Sequence, residues 1–507
     1  MNKKRYMLLI ATLLSLTLGA CNFGGDTSTS HESSSSKSDF STTSSIESSS
    51  SKSSSSSSRI QLNPLEVLEF SYNSYTDSYW LSKAISRDIA GDLIIPSEYE
   101  GKPVDTIERN AFQYCKSLKS VVIPNSVKEI QSCAFEVCEG LESVTVSEGL
   151  ERIEWYAFRE CISLQSFIVP DTVTFLGDCA FRDCSSLKSV KLGKKITSIA
   201  DYTFEGCRHL ESFNIPDGVT YIGDFALRDC AFSTIVIPNS VETIGISAFN
   251  NCYNLETVNI PASVVSLASS AFINCDKLAE INVDENNPNY CSINGVLYNK
   301  DQTVLMKFPS NWSKPFTFVN TATKIGDYAF YSCANLVSYD VPNSIASIGE
   351  DTFSNCRNLK TITIPNSVAS IGMFCFAWDV ALESIVIPGS VNTLEQGTFR
   401  DCSALKSVVL EEGVSYISHS PFMWCTSLNT IVIPHSVTKF GLNALYEGFF
   451  KKIYYSGTEE EWNNIERLSE DNYTWNHAET SLYFYSENEP TTTGNYWRYV
   501  NNEPTAW

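Results

Sequence analysis

Apolar and polar positions repeat along most of this chain every 23 residues. Each period carries a phenylalanine, usually after alanine and three residues before a cysteine. It stands at Phe112, Phe135, Phe158, Phe181, Phe204, Phe249, Phe272, Phe330, Phe353, Phe376, Phe399 and Phe422, with Leu227 and Leu445 in the same slot. The interval shortens to 22 before Phe249 and widens to 58 between Phe272 and Phe330. Within 115–138, CKSLKSVVIPNSVKEIQSCAFEVC, the apolar positions predict a strand with Val121 and Ile123 on one face, ended by Pro124. Val127 and Ile130 follow at a three-residue spacing, and Ala134-Phe135 predicts a short helical or 3₁₀ turn. A period sustained this long predicts a stacked array, each turn burying its apolar face against its neighbours.

The pattern C-x-x-L-x-x-[VI]-x-[IV]-P-x-S-V-x-x-I-G-x-x-A-F-x-x-C resembles the BspA-like class of bacterial leucine-rich repeats over about 106–446. The resemblance implies an α/β leucine-rich-repeat solenoid of about fourteen 23-residue turns. A parallel β-sheet would line one face, short helical or 3₁₀ turns the other, and strand-rich caps the two ends. Residues 59–105 read as the N-terminal cap, 106–283 and 318–446 as repeats, and 447–507 as an aromatic-rich C-terminal cap. Between the repeat blocks, 284–317 alternates apolar residues around Asn294-Gly295 and Lys300-Asp301, which predicts hairpins acting as a spacer or bend. DENNPN at 284–289 is faintly like a calcium loop but lacks the glycine and closing glutamate of an EF-hand.

Of 17 cysteines, twelve recur in the slot after phenylalanine, from Cys115 to Cys425. A residue found once per turn fills an equivalent niche in each, so a ladder of free, buried thiols is expected rather than disulfides. No CxxC is present and the histidines do not cluster with cysteines, so neither metal nor cofactor is expected.

Residues 1–20 read as a secretory signal: Lys3, Lys4 and Arg5 precede a short apolar run. Leu18-Gly19-Ala20-Cys21 resembles the bacterial lipobox, which implies that Cys21 is acylated and becomes the mature N-terminus. The membrane would then be reached through that lipid alone. Residues 21–58 read as a disordered stalk; 24 of the 32 positions in 27–58 are serine or threonine. A net charge of −22 argues against nucleic acid as a partner.

No nucleophile elbow, HExxH, Walker or Rossmann motif is present, and His209, His419 and His435 fall in different turns, so no catalytic residue is assigned. Binding fits better. Residues flanking the buried strand positions should point outward in two columns. One is almost wholly hydroxyl, including Ser384, Ser407 and Thr430; the other is mixed, including Asp340, Thr363, Val386, Val409 and Val432. Stacked hydroxyls support adjacent strands. The three valines are expected to form an exposed apolar strip that contacts a partner. The resemblance implies an adhesin-like protein displayed at the cell surface, binding a protein or glycan on host or neighbouring cells. The alternative is glycan or cell-wall binding by the C-terminal aromatics, which otherwise read as a cap burying the last turn.

Overall fold

Most turns of the chain contribute one strand to each of two parallel-stranded faces, and the turn at Thr234 contributes only a bridge to Thr257 on the longer-stranded face. The computed structural model describes residues 60–446, 448–468 and 480–507; the signal, Cys21, the serine-rich segment, Tyr473 and Trp475 lie outside them. The longer strands, such as Leu118–Ile123, Ser143–Val146 and Ser384–Ile387, pair in register one period apart. Ser120 lies beside Ser143, Ser166 beside Ser189, and Ser384 beside Ser407. Two-residue strands, Glu129–Ile130, Arg152–Ile153 and Phe175–Leu176 among them, form the second sheet. Two residues are too few to show an alternation, which is why the sequence pattern predicts only the first sheet.

Both expected caps carry solenoid strands of their own. Gly91–Ile94 opens the longer sheet beside Leu118–Ile123, and the hairpin Leu68–Asn73/Ser78–Ala84 leads through Lys102–Ile107 into the shorter one. At the other end Lys452–Tyr455 and Ser481–Tyr485 extend the longer sheet past Thr430–Ile433. The solenoid therefore has about 17 turns rather than fourteen.

The corner opposite the longer sheet is built of turns, and no helix runs through it. Amide groups there alternate in direction. Ala134, Glu136 and Cys138 donate within the turn, to the carbonyls of Gln131, Cys133 and Phe135. Cys133, Phe135 and Val137 donate to the next turn, to Trp155, Ala157 and Arg159, at 2.8–3.0 Å. A helix would spend every amide internally, whereas this corner cross-links the array. The alternation needs left-handed backbone at Cys133 (φ 58°) and Val137 (φ 59°), and the same two positions recur as Tyr156 and Glu160 one turn on. Among the described residues the only α-helices are Pro64–Val67 and Glu459–Asn464.

Inside this corner the phenylalanines stack as a column. Phe135 and Phe158 lie 5.1 Å apart with rings 2° from parallel, and Phe399 and Phe422 lie 5.9 Å apart. All sixteen described cysteines are free. Each repeat cysteine from Cys138 onward donates its S–H to the carbonyl at the phenylalanine slot one turn back: Cys138 to Phe112 at 3.1 Å, Cys161 to Phe135 at 3.2 Å, Cys425 to Phe399 at 2.9 Å. Burial pushes the thiols of Cys161, Cys207, Cys230 and Cys252 up, and those of Cys275 and Cys333 to about 12, so these stay protonated donors. Asp379 breaks the column. It stands in the cysteine slot, fully buried, with Oδ1 accepting from the Cys356 amide at 2.7 Å and Oδ2 without a partner among the described residues. Burial raises its carboxyl well above the usual range.

The insertion is a three-stranded antiparallel unit, Tyr290–Ile293, Val296–Asn299 and Val304–Lys307, as its turn residues predict. Its last strand rejoins the array, pairing in parallel with Lys324–Ile325. Phe308 then enters the aromatic column, 4.8 Å from Phe330. The buried Lys307 donates to the carbonyls of Tyr328 and Tyr331 at 3.0 and 3.4 Å, and burial lowers its pKa. The hydrophobic core divides here into two clusters, one ending at Leu297 and the other beginning at Val296.

Candidate functional site

The two outward columns lie where the strand register places them. In the hydroxyl column Ser384 is exposed while Ser407 and Thr430 are half-buried; in the mixed column Asp340 and Thr363 are exposed. The apolar strip differs from expectation at one end. Val386 is 47% exposed and Val409 is half-buried, but Val432 is 2% exposed. The C-terminal strand Tyr496–Val500 sets Trp497 in a buried cluster with Tyr454 and Val432, and the Trp497 indole donates to the Tyr455 carbonyl at 2.9 Å. Val432 is therefore a cap contact and is corrected as a surface residue. Exposed apolar side chains on this face lie farther toward the N-terminus, at Ile168 (63%) and Val236 (76%).

A second feature on this face escaped the sequence reading. Where the insertion leaves the array, a cleft of about 380 Å³ is lined by Glu280, Asn282, Ser292, Asn294, Gly295, Trp312, Lys314 and Pro315. Glu280 is the one departure from the hydroxyl column, and it pairs with Lys314 from the insertion. Two bonds pin the hairpin to the strand: Ile281 N–H to the Gly295 carbonyl at 2.8 Å and Val283 N–H to Ser292 Oγ at 3.1 Å. At Gly295 (φ 88°) a Cβ would lie 3.1 Å from Glu280 Cγ, so the turn glycine also permits the close approach. The available signal was the solitary Glu280 facing an inserted Lys314.

The sequence matches the BspA type leucine rich repeat region over 105–232, 185–294 and 323–449, more than half of the chain. The chain belongs to the BspA-type leucine-rich-repeat family. It is similar to the crystal structure of a leucine rich cell surface protein from Faecalibacterium prausnitzii A2-165, with 28% identity and a TM-score of 0.59, over 79% of this chain and 96% of that one. It also shares its fold with a leucine-rich repeat protein from Eubacterium ventriosum, with 21% identity and a TM-score of 0.50, over 81% and 95% of the two chains. No curated protein matches it significantly.

In this BspA-type array the C-terminal aromatics divide in two. Tyr454, Tyr455, Trp462 and Trp497 are buried, as a cap requires, whereas Tyr485, Tyr499 and Trp507 are 40–48% exposed. The faintly calcium-like segment is committed to packing: Asn287 is buried and donates to the carbonyls of Pro261 and Val264 at 2.8 and 2.9 Å. Among the described residues no group of three or more His, Cys, Asp or Glu side chains is placed to hold a metal ion, and no helix is long and apolar enough to cross a membrane. His209, His419 and His435 contact Ser185, Ser418 and Glu412 in separate turns.

Proposed function

We propose that this BspA-type protein is a surface-displayed binding protein that recognises a host-matrix protein or a cell-surface macromolecule through its outer strand face, as an adhesin does. One observation carries the reading: exposed Ile168 and Val386 stand on strands paired in register one period apart, and exposed Val236 lies on the same face beside the Thr234–Thr257 bridge. Such a face is ordered before a partner arrives, so little ordering cost opposes binding. Its neighbour from Faecalibacterium is described as a cell surface protein, which supports the location. Acylation of Cys21 and cleavage before it complete the proposal: a lipid anchor, a serine-rich stalk and an outward array. The activity is binding rather than catalysis. Capture of matrix proteins, wall glycan and whole cells on residues 58–507, which belong to one compact unit, tests the reading. A second reading, glycan binding at the C-terminal end, draws on exposed Tyr485, Tyr499 and Trp507.

A further inference from the structure

We infer that the cleft at the insertion is a saccharide-binding subsite, taking a neutral, hydroxyl-rich chain against Glu280, Asn282, Asn294 and Lys314. This deepens the binding reading above and rests on it. The cleft wall is polar, so it offers little to an apolar ligand. Anionic polymers face a chain of net charge −22, and the single cation of the cleft is already paired with Glu280. What remains is a ligand whose groups both donate and accept. Asparagine amides do both, a carboxylate accepts and an ammonium donates, which together suit vicinal hydroxyls.

The site is held in advance of any ligand. The backbone bonds from Ile281 and Val283 fix the hairpin against the strand, and Asn282 Nδ2 donates to Asn259 Oδ1 of the turn before at 3.2 Å. Asn259 and Asn282 both line a neighbouring hollow with Asn239, Asp284, Ile260 and Pro261, so the surface continues along the array with polar and apolar wall alike. A chain of linked sugars, rather than a single one, matches that continuation. Trp312 forms part of the wall, with Lys314 Nζ 5.8 Å from its ring centre and its own indole N–H without a partner among the described residues.

The test is titration of residues 58–507 with cellohexaose and with chitohexaose, read by calorimetry and by Trp fluorescence. Saturable binding of either by the wild-type chain, weakened at least tenfold in Asn282→Ala and in Glu280→Gln while Tyr499→Ala is unaffected, is the result expected. Asn282 is exposed and Glu280 half-buried, and an unchanged melting curve shows that the array is intact. No binding of either sugar at 10 mM, or loss in Tyr499→Ala but not in Asn282→Ala, overturns the inference. Capture of macromolecules that persists when the sugars fail overturns this subsite and leaves the broader reading standing.

Discussion

Ser332 Oγ donates to Asn274 Oδ1 at 2.7 Å, although 58 residues of chain separate them. Asn274 in turn donates to Asn251 at 2.9 Å, and Asn355 donates to Ser332 at 2.5 Å. The corner ladder therefore crosses the insertion, while the hydrophobic core does not. This bond couples the two halves of the array where apolar packing is divided. A double-mutant cycle of Asn274→Ala and Ser332→Ala is expected to give a coupling of about 0.5–1.5 kcal/mol in urea unfolding. A coupling of zero would mean that this bond does not hold the two blocks together.

Asp379 is the clearest flaw in the thiol column. Replacing it with cysteine restores the residue of the neighbouring turns and removes a buried oxygen with no partner. Asp379→Cys is expected to raise stability at pH 7 by about 1–3 kcal/mol. A loss of stability on equilibrium unfolding would show that the bond from the Cys356 amide outweighs the cost of the unpartnered oxygen.

The same carboxyl, with Asp351, sets a pH dependence. Burial first, with the charges of Glu350 and Asp327 adding to it, pushes Asp351 up to about 7, and burial raises Asp379 well above the usual carboxylate range. Both pKa values lie above that of an unfolded aspartate, so the folded chain holds these protons longer. Their stabilising contribution is complete below about pH 4 and falls as pH rises, through about 7 for Asp351. Melting temperatures of Asp351→Asn and Asp379→Asn measured from pH 4 to 8 are expected to fall less with pH than those of the wild type. Parallel curves would show that neither group titrates in this range.

Val137 is a β-branched residue held at φ 59°, a position that Asn251, Asn274 and Asn355 fill in later turns. Left-handed backbone is costly for valine and tolerated by asparagine, so Val137→Asn is expected to stabilise by about 1 kcal/mol. Val137 is buried, and a loss of stability would show that its packing outweighs its strain.

The repeat period made the scaffold readable, because a phenylalanine or cysteine required once per turn leaves a column in the sequence. Phe181 and Cys184 could be placed in the interior from spacing alone. Departures from the columns carried information too: Asp379 marks a core position with an unpartnered oxygen and Glu280 marks the cleft. Contacts between distant segments left no such trace. Nothing near Val432 signals that Trp497 covers it, because that contact depends on how the last strand folds back. Phe308 joins the aromatic column 22 residues before Phe330, yet the hairpins around it hide the period. The second sheet is likewise invisible at two residues per strand.

The claim that the outer strand face is the binding surface is tested most directly by a lysine variant of that face. Residues 58–507 carrying Ile168→Lys, Val236→Lys and Val386→Lys, all at exposed positions, are compared with the wild type for capture of matrix proteins and intact cells. Binding by the wild type that is lost in the variant, with the far-UV spectrum and melting temperature unchanged, is the expected result. Equal binding by the two chains would contradict the claim and move the site elsewhere on the molecule.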